Sequence, residues 1–168
     1  DLIYKCESEL MFILESESHT EKLAWVLAEE TVPGDVIGLT GNLGAGKSFF
    51  ARAFIQIRCK VIEVPSPTFT LVQTYDDCFN NNNTLCEIWH LDLYRLKDSS
   101  EALELGIEDA IGKEILLIEW ARNIDNQILG DWLEIDLRFS ESHSERTLIL
   151  NAHGPRSETL KKKLSNYL

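Results

Sequence analysis

Residues 41–48 of this chain read Gly41-Asn42-Leu43-Gly44-Ala45-Gly46-Lys47-Ser48, a match to G-x-x-x-x-G-K-[ST]. This P-loop pattern constrains the fold more than any other stretch, because it needs a strand before it and a helix after it. Both flanks qualify. Asp35-Val36-Ile37-Gly38-Leu39-Thr40 is apolar and of strand length, and Phe49-Phe50-Ala51-Arg52-Ala53-Phe54-Ile55 has a helical pattern. At such a helix N-terminus the unpaired N–H groups and the positive end of the dipole favour an anion. Gly41, Gly44 and Gly46 remove side chains that would keep the backbone from wrapping a phosphate. Lys47 is then expected to reach the β- and γ-phosphates as a point charge without a packing role, and the Ser48 hydroxyl to ligate Mg²⁺.

The rest of the chain supplies strands and helices in alternation. Leu10–Leu14 predicts a buried strand, and Ser18-His19-Thr20-Glu21 a capping box opening a helix that carries Leu23, Val26 and Leu27. His19, at that cap, is expected to be a surface residue. Val64-Pro65-Ser66-Pro67-Thr68-Phe69 is held away from helix by its prolines and leads into a half-exposed strand through Tyr75. Asp76–Thr84, with Asn80-Asn81-Asn82-Asn83, predicts a polar hairpin loop. Strand character resumes over Cys86–Arg95, and two short helices follow, the first capped at Asp98 and stopped at Gly106. Ile115-Leu116-Leu117-Ile118 suits a strand covered on both faces, as in a parallel sheet. Trp132–Phe139 alternates apolar and polar residues and can pair with Thr147–Ala152, and Leu160, Leu164 and Tyr167 mark a terminal amphipathic helix. The expected fold is a single α/β domain over residues 1–168. It is a P-loop NTPase-like three-layer sandwich with a mainly parallel central sheet and antiparallel C-terminal strands.

Charge narrows the partners. Sixteen basic against 28 acidic residues give a net charge of −12, which repels a nucleic-acid backbone. Contact with RNA is therefore expected only through a partner protein. No apolar run approaches the roughly 20 residues of a membrane span. The first residues lack the basic and apolar regions of a signal peptide, and the four cysteines form no C-x-x-C pair. A cytoplasmic protein with reduced thiols is expected.

Three carboxylates compete to serve the metal of the P-loop. Asp35 precedes the P-loop strand and lies at its wrong end. Asp92 and Glu119 both end strands on the side where ligands gather in open α/β sheets. Glu119 follows the better apolar run, so periodicity favours it as the Mg²⁺ partner. Asp92 stands among His90, Tyr94 and Arg95, which suits orienting an attacking water. His90 shares the strand face of Asp92 and either holds a carboxylate or is a structural histidine.

Four segments in this order carry a resemblance: Gly41–Ser48, Ser66-Pro67-Thr68-Phe69, His90-Leu91-Asp92-Leu93-Tyr94-Arg95 and Ile118-Glu119-Trp120. Together they resemble the TsaE family, also called YjeE, bacterial ATPases of tRNA threonylcarbamoyladenosine synthesis. The resemblance implies a cytoplasmic, Mg²⁺-dependent ATPase that binds the TsaB–TsaD heterodimer and is weak alone. That complex transfers threonylcarbamoyl to adenosine 37 of tRNAs reading ANN codons, and the ATPase does not perform the transfer. Carried over by position, Lys47 and Ser48 hold phosphate and Mg²⁺, Thr68 belongs to a switch-like segment, Asp92 is catalytic, Glu119 is a metal partner and Trp120 lies beside the nucleotide. The candidate nucleotide residues are thus Gly41 through Ser48, with Phe49 beyond them and Trp120. Preference for adenine rests on the resemblance alone. The family continues Glu-Trp with Pro-Glu-Arg, whereas here Trp120 is followed by Ala121-Arg122-Asn123, shifting the basic residue by one.

Two other readings fit a P-loop chain of this length. A small-metabolite or nucleoside kinase needs an acceptor pocket and usually an arginine-bearing lid, yet the seven arginines cluster nowhere. A nucleotide-gated binding module would hardly turn over. The protein is expected to be a monomer when alone.

Overall fold

The computed structural model describes residues 4–6, 9–68, 70–78, 85–140, 142 and 144–168, so Phe69 and the Asn80–Asn83 loop lie outside the described residues. The strands are β1 (Tyr4–Cys6), β2 (Glu9–Leu14), β3 (Val36–Thr40), β4 (Val72–Asp76), β5 (Glu87–Asp92), β6 (Ile115–Glu119), β7 (Leu133–Phe139) and β8 (Arg146–Ala152). The helices are α1 (Glu17–Glu30), α2 (Lys47–Cys59), α3 (Ser99–Glu104), α4 (Ile107–Ala110), α5 (Asn126–Leu129) and α6 (Pro155–Tyr167), with a 3₁₀ turn over Ala121–Asn123.

All eight strands form one sheet, in the order β1-β2-β8-β7-β3-β6-β5-β4. Its centre is parallel: β5 pairs with β6, β6 with β3 and β3 with β7. The antiparallel β7–β8 pair is the one the sequence pattern predicts. Antiparallel pairing also extends to both margins, where β4 folds back on β5 and β2 and β1 continue beyond β8. Adjacent strands joined by a hairpin have no room for the crossover that parallel pairing needs.

Helices cover both faces. On one, Leu23 and Leu27 of α1, Phe50 and Phe54 of α2 and Leu160 and Leu164 of α6 pack on Ile37, Leu39 and Ile135. On the other, Ile107, Ala121 and Trp132 pack on Leu91, Leu116 and Ile118. Ile115–Glu119 is buried throughout, as an apolar run covered from both sides requires. The switch from β3 to α2 therefore happens at the edge of a packed interior, and the loop between them inherits fixed anchors.

Two local expectations are corrected. Helix α1 is capped by Ser16, whose hydroxyl accepts from the His19 N–H at 3.3 Å, so Ser18 sits inside the first turn. Ser16 is the earlier residue able to satisfy a first-turn donor, which contributes about 1 kcal/mol. Tyr167 is 65% exposed, and the inner seam of α6 is carried by Leu160 and Leu164 with Ser157. The acidic side chains of β7 are buried, Glu134 and Asp136 being 3% and 2% exposed, while Arg138 is exposed. No helix among the described residues is long and apolar enough to cross a membrane.

Candidate functional site

Strand β3 ends at Thr40, and seven residues later α2 begins at Lys47. Gly41 holds a φ of +126°, and a Cβ there would collide with the Leu137 carbonyl oxygen of β7. Both the dihedral and the close approach require glycine at this position. Gly46 is the N-cap of α2 at φ +108°, with no side-chain cap on the helix. The Phe50 N–H reaches the Gly46 carbonyl at 2.9 Å, and the donors before it are those that a helix N-terminus leaves without an intrahelical partner.

Lys47 is folded into this loop. Its Nζ donates to the carbonyls of Gly41 and Asn42, each at 2.7 Å, and stands 4.2 Å from the centroid of the Trp120 ring. The residue is 4% exposed, so the expectation of a lysine without packing contacts is corrected. Burial lowers its pKa from the ordinary value, against the pull of the Glu119, Asp92 and Asp136 carboxylates. Trp120 holds a left-handed φ of +59°, uncommon for a bulky residue and costing of order 1–3 kcal/mol. Its N–H donates to the Leu39 carbonyl at 2.9 Å, and its ring lies 4.8 Å from that of Tyr94.

Sheet register brings the two strand-end carboxylates together. Asp92 of β5 is the direct partner of Glu119 of β6, and Glu119 is in turn the partner of Leu39 of β3. Ser48 donates to Glu119 Oε1 at 2.7 Å, and His90 Nε2 lies 2.7 Å from Glu119 Oε2. Asp92 has different partners: Thr68 Oγ1 donates to its Oδ2 at 3.1 Å and the Tyr94 N–H to its Oδ1 at 3.0 Å. Ser66 Oγ, 2.7 Å from Thr68 Oγ1, extends that chain outward. Asp35, at the other end of β3, is bound by Arg156 and by the Val32 N–H, a structural role.

Ser48 and Glu119 thus offer adjoining oxygens at a helix N-terminus, the hard donors that Mg²⁺ takes. Among the described residues no group of three or more His, Cys, Asp or Glu could form a metal cage. Away from this site, burial pushes the Cys59 thiol up to about 12 and the Cys86 thiol up to about 11.

Lys47, Ser48, Thr68, Asp92, Glu119 and Trp120 all line one cavity of about 330 Å³, together with Tyr94 and Arg95. Gly41 and Asn42 contribute carbonyls to Lys47 instead of lining it. A second cavity, of about 450 Å³, opens on the other flank of the loop, where Ala45, Gly46 and Phe49 meet Arg146. Arg146 was not legible as a site residue, being remote in sequence from the loop whose Ala45 carbonyl its Nε reaches at 3.2 Å. Its guanidinium also lies 4.7 Å from the Phe139 ring centroid. Arg122, the displaced basic residue, turns toward β7, donating to Glu134 at 2.5 Å and Asp136 at 3.4 Å. Thr40 donates to the same Glu134 at 3.0 Å, so this ion pair braces the base of the loop.

Comparison with known proteins gives one consistent result. A family profile described as threonylcarbamoyl adenosine biosynthesis protein TsaE matches residues 14–148. A Rickettsia conorii protein named tRNA threonylcarbamoyladenosine biosynthesis protein TsaE is 39% identical over 88% of this chain and 82% of its own length. A Bacillus subtilis protein of the same name is 34% identical over 88% of this chain and 89% of its own. The crystal structure of Bacillus subtilis YdiB superposes with a TM-score of 0.71 at 27% identity, covering 98% of this chain and 99% of that one.

Proposed function

The chain belongs to the TsaE family, and on that premise we propose that it is a Mg²⁺-dependent ATPase serving the TsaB–TsaD heterodimer. In this reading its turnover supports threonylcarbamoylation of adenosine 37 in ANN-decoding tRNAs, and it works in the cytoplasm. The observation that carries the reading is the convergence of Lys47, Ser48, Thr68, Asp92, Glu119 and Trp120 on one cavity at the P-loop. The relatives' shared name supplies the pathway, and the net charge of −12 supports contact with tRNA only through the complex.

Each side chain has a task that its surroundings permit. Gly41 to Ser48 and Phe49 wrap the phosphates with backbone N–H groups. Lys47 exchanges its two loop carbonyls for phosphate oxygens, a short move from where it now stands. Ser48 and Glu119 would hold Mg²⁺, which when bound would supply charge neutralisation at the transferring phosphoryl group. Asp92, its oxygens fixed by Thr68 and Tyr94, orients and accepts a proton from the attacking water. The nucleoside end extends past Phe49 into the cavity walled by Arg146.

The partner follows from the product. ADP and phosphate are of use to the pathway only if nucleotide state changes another protein. Thr68 joins Asp92 to the exposed Ser66, and Trp120 joins Lys47 to the half-exposed Tyr94. Both links run from the phosphate end to the surface, as switch segments do. Exposed Leu43 and Tyr94 at the mouth of this cavity give such a surface an apolar component. Capture of purified TsaB–TsaD by the tagged chain, with and without ATP, tests the reading. Nucleotide-dependent capture supports it, and no capture under either condition contradicts it.

A further inference from the structure

We propose that His90 is the positioning residue that aims Glu119 at the cation, an inference that rests on the nucleotide reading above. Glu119 is held at both oxygens by two different elements: Ser48 of α2 at Oε1 and His90 of β5 at Oε2, each at 2.7 Å. The two residues of the inner contact, His90 and Glu119, are both 2% exposed, so water does not compete for it. Along β5, His90 is the partner of Leu117 and stands two residues before Asp92, reaching diagonally under the end of β6.

The other ring nitrogen defines the proton. His90 Nδ1 is buried and has no hydrogen-bond partner among the described residues. A proton there would be a buried donor without an acceptor, whereas a bare ring nitrogen is the milder loss. The geometry therefore places the proton on Nε2, and His90 gives it to Glu119 Oε2. With Oε2 occupied, Oε1 alone faces Ser48 and the cavity. The hydroxyl of Ser48 can then donate to Oε1 while its lone pair faces the cation. Outer partners of this kind set the direction of a metal-binding carboxylate. Without His90, the carboxylate is pinned at one oxygen and free to turn about Ser48.

A purely structural histidine would change the melting temperature but not the Mg²⁺ dependence of nucleotide binding. The test is calorimetric titration with ADP, in EDTA and in Mg²⁺, beside thermal melts of the nucleotide-free proteins. The variants are His90→Phe, which keeps volume without a donor, and His90→Gln, which restores a donor. His90→Asn, polar but too short to reach Oε2, repeats the test should His90→Phe not fold. All folded forms should bind ADP alike in EDTA. The Mg²⁺-dependent gain in affinity should fall about tenfold or more in His90→Phe and His90→Asn and be kept in His90→Gln. An undiminished gain in the Phe or Asn variant, with only its melt lowered, overturns the proposal. If the unsubstituted protein shows no ADP binding or no Mg²⁺ gain, it is the nucleotide reading itself that fails.

Discussion

Ser48 Oγ donates to Glu119 Oε1 across 2.7 Å, joining the first turn of α2 to the end of β6 over 71 residues of sequence. Asp92, beside Glu119 in the sheet, makes no such contact and is tied instead to Thr68 at 3.1 Å. Two neighbouring carboxylates thus belong to two different networks, Glu119 to that of Ser48 and His90 and Asp92 to that of Thr68 and Tyr94.

That division predicts separable defects. Glu119→Gln should lower the affinity for ADP on the order of tenfold or more when Mg²⁺ is present and leave it nearly unchanged in EDTA. Asp92→Asn should bind as before and lose turnover, because it removes a group that acts on the water. Calorimetry with phosphate-release rates reads both. If the two patterns are exchanged, the roles of the two carboxylates must be exchanged as well.

Lys47→Ala should abolish stabilisation by ATP. Because Nζ satisfies the carbonyls of Gly41 and Asn42, the nucleotide-free melt should also fall, by roughly 2–4 °C for a loss of about 1 kcal/mol in a protein of this size. Thermal melts with and without ATP measure both effects, and ATP stabilisation equal to that of the unsubstituted protein would remove Lys47 from the phosphate site.

The P-loop and the strand-end carboxylates were legible because their signals are local: a fixed spacing, an apolar run and a charge at its end. Glu119 could be placed because Ile115–Ile118 can only be a covered strand. What stayed hidden depends on contacts between distant segments. The acidic positions of β7 read as one face of an alternating strand, yet Glu134 is buried under Arg122, Thr40 and Asn151. Nothing near Arg146 in sequence ties it to Ala45, and nothing near Lys47 places Trp120 over its ammonium. Strand β1 is three residues long, too short for any periodicity.

The Glu134 network gives stability a pH dependence. Burial alone would raise the Glu134 pKa, but hydrogen bonds from Arg122 and Asn151 outweigh it and the net shift is downward. A carboxyl with a depressed folded pKa contributes stability that is present above its unfolded pKa and lost as pH falls through the folded one. Glu134→Gln should therefore cost about 1–3 kcal/mol at pH 7. The difference from the unsubstituted protein should shrink below about pH 4. Urea unfolding at the two pH values is the measurement; an unchanged cost at low pH would mean that the ion pair is not its source.

Thr68→Ala should leave ATP binding almost unchanged, since the side-chain hydrogen bonds of Thr68 go to Asp92 and Ser66. The rate in the presence of TsaB–TsaD should fall while the rate alone changes little. Binding titrations and phosphate release with both proteins distinguish this from a loss of nucleotide affinity.

Steady-state phosphate release by the purified chain, with and without TsaB–TsaD, tests the central claim most directly. The predicted result is slow release alone and a rise on the order of tenfold or more with the partner, as when a second protein completes a phosphoryl-transfer site. Fast release that ignores the partner, or transfer of the phosphoryl group to a small acceptor, would contradict the account.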